Sequence, residues 1–166
     1  MKILEAILNF ITGFTLNEDI THSLKECKGL FGQANKSIHI VAGDLESTLF
    51  EDKEVLDILK QRMNRQKNPI DVQIIYGPKH DPKTHTIFEW ESPNLLMAQV
   101  PTRPSAHFMI IDNKHTRVEE YHEQFKPERK AYIAYRTLFL ADKLETEFAK
   151  LKSQAITIEN VKKATA

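Results

Sequence analysis

The chain has 166 residues, of which 41% are apolar and 28% charged, with a formal net charge of zero. Such a composition suits one soluble domain with a sizeable core, and it excludes a global basic field that would draw in nucleic acid. Cys27 is the sole cysteine, so an intrachain disulfide is excluded, and a reducing, cytoplasmic setting is the simpler expectation.

In chain order, "MKILEAILNFITGF" places Ile3, Leu4, Ile7, Leu8, Ile11 and Phe14 at helical spacing. An amphipathic helix over residues 1–16, docked on the body or on a partner, is predicted. It is too short to span a bilayer, lacks the pattern of a cleaved leader, and has one lysine as its basic face, a thin basis for membrane contact. Residues 17–35 carry Ile20, Leu24, Cys27, Phe31 and Ala34 on one stripe and predict a second helix. "SIHIVAG" predicts a buried strand ending at Gly43. "FEDKEVLDILKQRMNR" predicts a helix with Val55, Ile58, Leu59 and Met63 on its apolar face. "NPIDVQIIYGP" returns to strand character and stops at Gly-Pro.

A strand, a crossover helix and a second strand favour parallel neighbours. Residues 79–93 predict an irregular loop, in which His80 and His85 are solvated and Phe88 and Trp90 are buried. "NLLMAQV" is a third strand. Asp44 and Ser47, after the first strand, stand where α/β folds place ligand groups, but helix capping is the reading preferred for them. "SAHFMIIDNKHTRVEEYH" predicts a hairpin, "KAYIAYRTLF" a further strand, and Ala141, Leu144, Phe148 and Leu151 a closing helix. The class is α/β, a mixed β-sheet flanked by helices, with a domain over 17–152 and a C-terminal tail over 153–166.

The order "NKSIHIVAGDL", helix, "DVQIIYGP", then a strand opening on His107, resembles half of a phospholipase D superfamily domain. The closing helix "LADKLETEFAKLKSQA" is similar to the end of such a half. The resemblance covers roughly residues 17–152 and implies a phospholipase D-like half-domain. It also implies a motif, His-x-Lys-x4-Asp followed by Gly-Ser-x-Asn, and a site built where two such motifs meet. One His attacks phosphorus, the other protonates the leaving group, and neither metal nor cofactor is needed. A chain carrying one half would therefore work as a homodimer.

The motif is degenerate here. His107 fits the histidine, Met109 stands at the lysine position, Asp112 follows His107 by five residues instead of seven, and "RVEEYH" replaces Gly-Ser-x-Asn. A unit charge about 4 Å from a phosphate oxygen is worth about 4 kcal/mol at an effective dielectric of ~20. Losing the lysine therefore removes orders of magnitude in rate unless Arg103, Lys114 or Arg117 substitutes.

A two-residue turn at Asn113-Lys114 would set Asp112 opposite His115, Met109 opposite Val118, and His107 opposite Glu120, with His122 following on the same side. A loop one residue different would bring Glu119 and Arg117 to the His107 face instead. Either way a carboxylate meets His107, fixing its tautomer and favouring the imidazolium. The candidate reactive groups are thus His107, Glu120 and His122, with Arg103, Arg117 and Glu119 as ligand contacts. Glu119 and His122 have a metal-pair spacing suited to a helix, but they fall on a predicted strand, so no metal is expected.

Three functions compete, in this order. The first is a phospholipase D-like module that binds a phosphate-bearing ligand or macromolecular partner as a homodimer. The second is a working phosphodiesterase, a nuclease or phospholipase, using His107 at a dimer interface. The third is a purely structural docking unit led by the N-terminal helix. Nucleic acid is an option as partner that the net charge does not favour.

Overall fold

The computed structural model describes residues 15–17, 20–43, 45, 48–78, 85–119 and 131–160. In chain order these form β1 (Thr15–Asn17), α1 (Ile20–Gln33), β2 (Ser37–Ala42), the short α2 (Thr48–Glu51), α3 (Lys53–Met63) and β3 (Asp71–Tyr76). A 3-10 turn (Thr86–Glu89), β4 (Leu95–Gln99), β5 (His107–Ile111), β6 (His115–Glu119), β7 (Ala131–Ala134), α4 (Leu138–Ser153) and β8 (Thr157–Asn160) follow. Among the described residues the strands make one mixed sheet, ordered β1-β7-β6-β5-β2-β3-β4-β8.

The centre of the sheet is parallel, β2 to β3 and β3 to β4, and β5 joins β2 antiparallel. Both faces are covered, which is why the central strands read as near-continuous apolar runs. On one face, Cys27, Leu30 and Phe31 of α1 and Val55, Leu59 and Met63 of α3 pack on Ile38, Ile40, Val72, Ile74, Met97, Met109 and Ile111. On the other, Leu140, Ala141, Leu144 and Phe148 of α4 pack on Val41, Ile75, Ala98, Phe108, Ile110 and Val118. His39 of β2 helps seat α4: its ring stacks on Phe148 at 4.6 Å and its Nδ1 lies 2.8 Å from Glu145.

The hairpin departs from the predicted two-residue turn. Asp112 and Asn113 both take left-handed backbone, at φ 54° and 52°, which Asp and Asn tolerate better than other non-glycine residues. The turn therefore spans Asp112, Asn113 and Lys114, and the pairs are Ile111–His115, Met109–Arg117 and His107–Glu119. His107 faces Glu119, and Met109 faces Arg117 instead of Val118. The Asp112 carboxylate turns away from its own hairpin. It accepts hydrogen bonds from the backbone N–H groups of Asn35, Lys36 and Ser37 at 3.0, 2.7 and 3.1 Å, tying the α1–β2 corner to the β5–β6 turn.

The chain ends also differ from expectation. Thr15 and Leu16 lie in β1, paired with β7, where the periodicity predicts the end of a helix. Residues 157–160, predicted as tail, add β8 to the edge of β4. Residues 1–14 of the predicted N-terminal helix lie outside the described residues. His85 is buried, not solvated, and precedes the 3-10 turn; His80 lies outside the described residues.

Candidate functional site

The site forms at the edge where the parallel strands end, which is where open α/β sheets place ligands. β2 runs into Gly43 and β3 into Gly77. Because β5 is antiparallel to β2, its first residue, His107, comes to the same edge. Glu119, at the end of β6, stands beside it.

Two glycines make this convergence sterically feasible. A Cβ on Gly43 would lie 2.2 Å from His107 Nε2 and 2.7 Å from Arg103 Nε. The imidazole and the guanidinium therefore share one small volume against bare backbone. Gly77 donates its N–H to the Gly43 carbonyl at 3.2 Å, and a Cβ there would meet that oxygen at 2.3 Å. At Gly77 the clash is with backbone and only hydrogen fits, whereas at Gly43 a methyl group would have to push both side chains aside. Arg103 reaches the site from the loop after β4, which buried Pro104 helps anchor.

Behind His107 lies a buried charge network. Glu119 bridges two groups: one carboxylate oxygen lies 3.5 Å from His107 Nδ1, and the other takes a hydrogen bond from the Arg117 guanidinium at 2.5 Å. Arg117 donates a second hydrogen bond, at 2.6 Å, to Ser23 Oγ of α1. Arg117 is 4% exposed. Burial opposes its charge, but the Glu119 carboxylate, with Cys27 adding to it, outweighs burial, so its pKa stands above the usual value. Cys27, one turn along α1 from Ser23, is pushed up to about 11. Burial is the main cause; the Arg117 charge works against it and the Glu119 charge with it.

His107, Glu119, Arg117 and Arg103 are thus brought together, while Glu120 and His122 lie outside the described residues. Arg117 sits beneath the site and not at its mouth, with its guanidinium engaged by Glu119 and Ser23. Met109, which the sequence resemblance sets at the lysine position, points with Arg117 into the α1–α3 core and is 5% exposed. Lys114 is at the other end of β5, in the turn, too far along the strand to replace a lysine beside His107. Gly43 and Gly77 were legible only as strand stops, although each closes an apolar run. Ser23 gave no signal, because its contact with Arg117 spans 94 positions.

No protein-family model matches the chain, and no curated protein sequence does. Solved structures do. Nuc from Salmonella typhimurium, a phospholipase D family member, superposes with a TM-score of 0.63 at 12% identity, over 86% of this chain and 95% of that one. The chain has the phospholipase D fold. NucT from Helicobacter pylori matches at a TM-score of 0.60 and 14% identity, over 86% of this chain and 97% of that one. TrmBL2, an archaeal chromatin protein whose structure shows a novel mode of DNA binding, matches at 0.62 and 13%, over 93% of this chain and 59% of that one. Set in the phospholipase D fold, His107 opens the strand on which the sequence resemblance places the motif histidine. By that resemblance the lysine position falls on Met109, which is buried.

Proposed function

We propose that this phospholipase D-fold domain binds a phosphate-bearing ligand at the mouth between His107 and Arg103, as a homodimer, without hydrolysing it. The observation that carries this reading is the convergence of Arg103 Nε and His107 Nε2 on Gly43, with the lysine position taken by an apolar, buried Met109. The Arg103 guanidinium and a His107 ring that carries a proton on Nε2 suit a phosphate oxygen. The Glu119 charge, which would repel an anion, is offset by Arg117. The lysine position supplies no cation to a phosphoryl transition state; of the substitutes the sequence offers, Arg103 stands beside the histidine, and we assign it to holding the ligand. Homodimerisation follows from the resemblance, in which a single half needs a second to complete the mouth. DNA binding in TrmBL2 makes a nucleic-acid phosphodiester the first macromolecular ligand to try.

Calorimetric titration with inorganic phosphate and with a short single-stranded oligonucleotide tests this reading, beside an assay on bis(4-nitrophenyl) phosphate. Binding is expected to weaken about ten- to a hundredfold in His107→Ala and in Arg103→Ala, the range for losing one hydrogen bond to a charged group. Light scattering is expected to give twice the 19.2 kDa chain mass. No turnover is expected. Hydrolysis that disappears in His107→Ala would establish a working phosphodiesterase instead. Absence of binding to both probes would refute the ligand, and a monomer at high micromolar concentration would refute the dimer.

A further inference from the structure

We infer that Arg117 is a positioning residue for His107, acting through Glu119, and that Ser23 of α1 completes the hold. This deepens the proposed binding role of His107 and rests on it for its purpose, but its geometry stands alone. The contacts run in one line from helix to site: Ser23 Oγ to Arg117 at 2.6 Å, Arg117 to Glu119, and Glu119 to His107 Nδ1 at 3.5 Å.

Each link limits the freedom of the next. Glu119 is the last described residue of β6, with its side chain 12% exposed. A carboxylate in that position, left without a cation, turns towards water, since a half-buried charge gains more from hydration than from an imidazole. Arg117 prevents this by engaging the oxygen that His107 does not face. Held so, Glu119 presents its other oxygen to Nδ1 and favours the tautomer with its proton there, so that a proton recruited by a bound phosphate sits on Nε2 at the Gly43 side. The guanidinium in turn has a fixed plane because its second nitrogen is bound to Ser23. Lysine has one nitrogen on a flexible stem and cannot reach along both directions with fixed geometry. The seating of α1 on the sheet therefore sets the orientation of a ring on β5, through residues that never touch the ligand. A guanidinium present only to neutralise a core carboxylate would not need the helix contact.

The test reads the ring of His107 itself by long-range proton–nitrogen correlation NMR on the neutral imidazole. In the unmodified protein the Nδ1–H tautomer is expected to be the major species. Glu119→Ala defines the released state, with Nε2–H as the major species. Arg117→Lys keeps a positive charge and is expected to move His107 towards that released state. Ser23→Ala keeps the whole ion pair and is expected to move it part of the way. An unchanged tautomer in both Arg117→Lys and Ser23→Ala would overturn the inference and leave Arg117 a structural counter-charge. So would an Nε2–H major species in the unmodified protein. If Arg117→Lys does not fold, Ser23→Ala decides alone. Failure of both inorganic phosphate and the oligonucleotide to bind sinks the proposed function without touching this result, since the ring is read with no ligand present.

Discussion

At the scale of single residues, the site is shaped as much by an absent side chain as by those present. Gly43 leaves room for the His107 ring and the Arg103 guanidinium in a volume that one methyl group would fill. Gly43→Ala is therefore expected to leave the fold standing, because the groups it meets are ends of movable side chains. It is expected to displace both, with phosphate affinity falling about tenfold or more by calorimetry, the equivalent of about 1.4 kcal/mol. Cys27 gives a pH signature. Its folded pKa is raised to about 11 from 9.0. The folded state therefore holds the thiol proton after the unfolded chain has released it. The contribution is complete below about pH 9 and is lost as pH rises through 11, on the order of 2 kcal/mol. Urea unfolding at rising pH is expected to show that decline, and Cys27→Ala to flatten it over the same interval.

Elements owe their ends to local chemistry that is mostly readable, and their pairings to chemistry that is not. The start of α3 is an example of the first kind. The Asp52 side chain accepts a hydrogen bond from Val55 N–H at 2.9 Å, and chiefly for that reason its carboxyl is held below the usual range. Asp52→Ala is expected to lower stability by about 1 kcal/mol in chemical denaturation, and Asp52→Asn to keep most of it. The β5–β6 hairpin is an example of the second kind. That it exists, and that a carboxylate meets His107, could be read from the alternation of "HFMII" and "HTRVE". Its register could not. "DNK" offers a two-residue turn to Asn113-Lys114, but Asp112 also accepts left-handed backbone, and its carboxylate has partners 75 to 77 positions away. A distant interaction settled a local choice, and with it whether Glu119 or Glu120 stands beside His107.

For the molecule as a whole, the class and the layers followed from apolar periodicity, because a covered parallel centre demands continuous apolar strands and a crossover helix an apolar stripe. The strand order did not follow. β5 lies against β2, not against β4, which precedes it in the chain, and Ile38 pairs with Ile111. Nothing local distinguishes that neighbour from another. The two chain-terminal edges, β1 and β8, were hidden for a related reason. A three- or four-residue strand has too few positions to show a period.

The order of assembly can be read from the Asp112 cradle. Its carboxylate closes on Asn35, Lys36 and Ser37 only when β5 already lies on β2, with β3, β4 and their connections threaded between. A contact that closes so long a loop is paid for in chain entropy before it returns anything, so it forms late, on the native side of the folding barrier. Asp112→Asn, which keeps the left-handed backbone but removes the charge, is then expected to quicken unfolding several-fold while the refolding rate stays put. Stopped-flow chevrons would display this as a raised unfolding limb beside an unmoved refolding limb. A slowed refolding limb would instead place the corner among the first parts of the molecule to form. On the expected outcome, the turn that sets the register of His107 acts as a latch on the finished sheet, governing how long the native state lasts more than how fast it is reached.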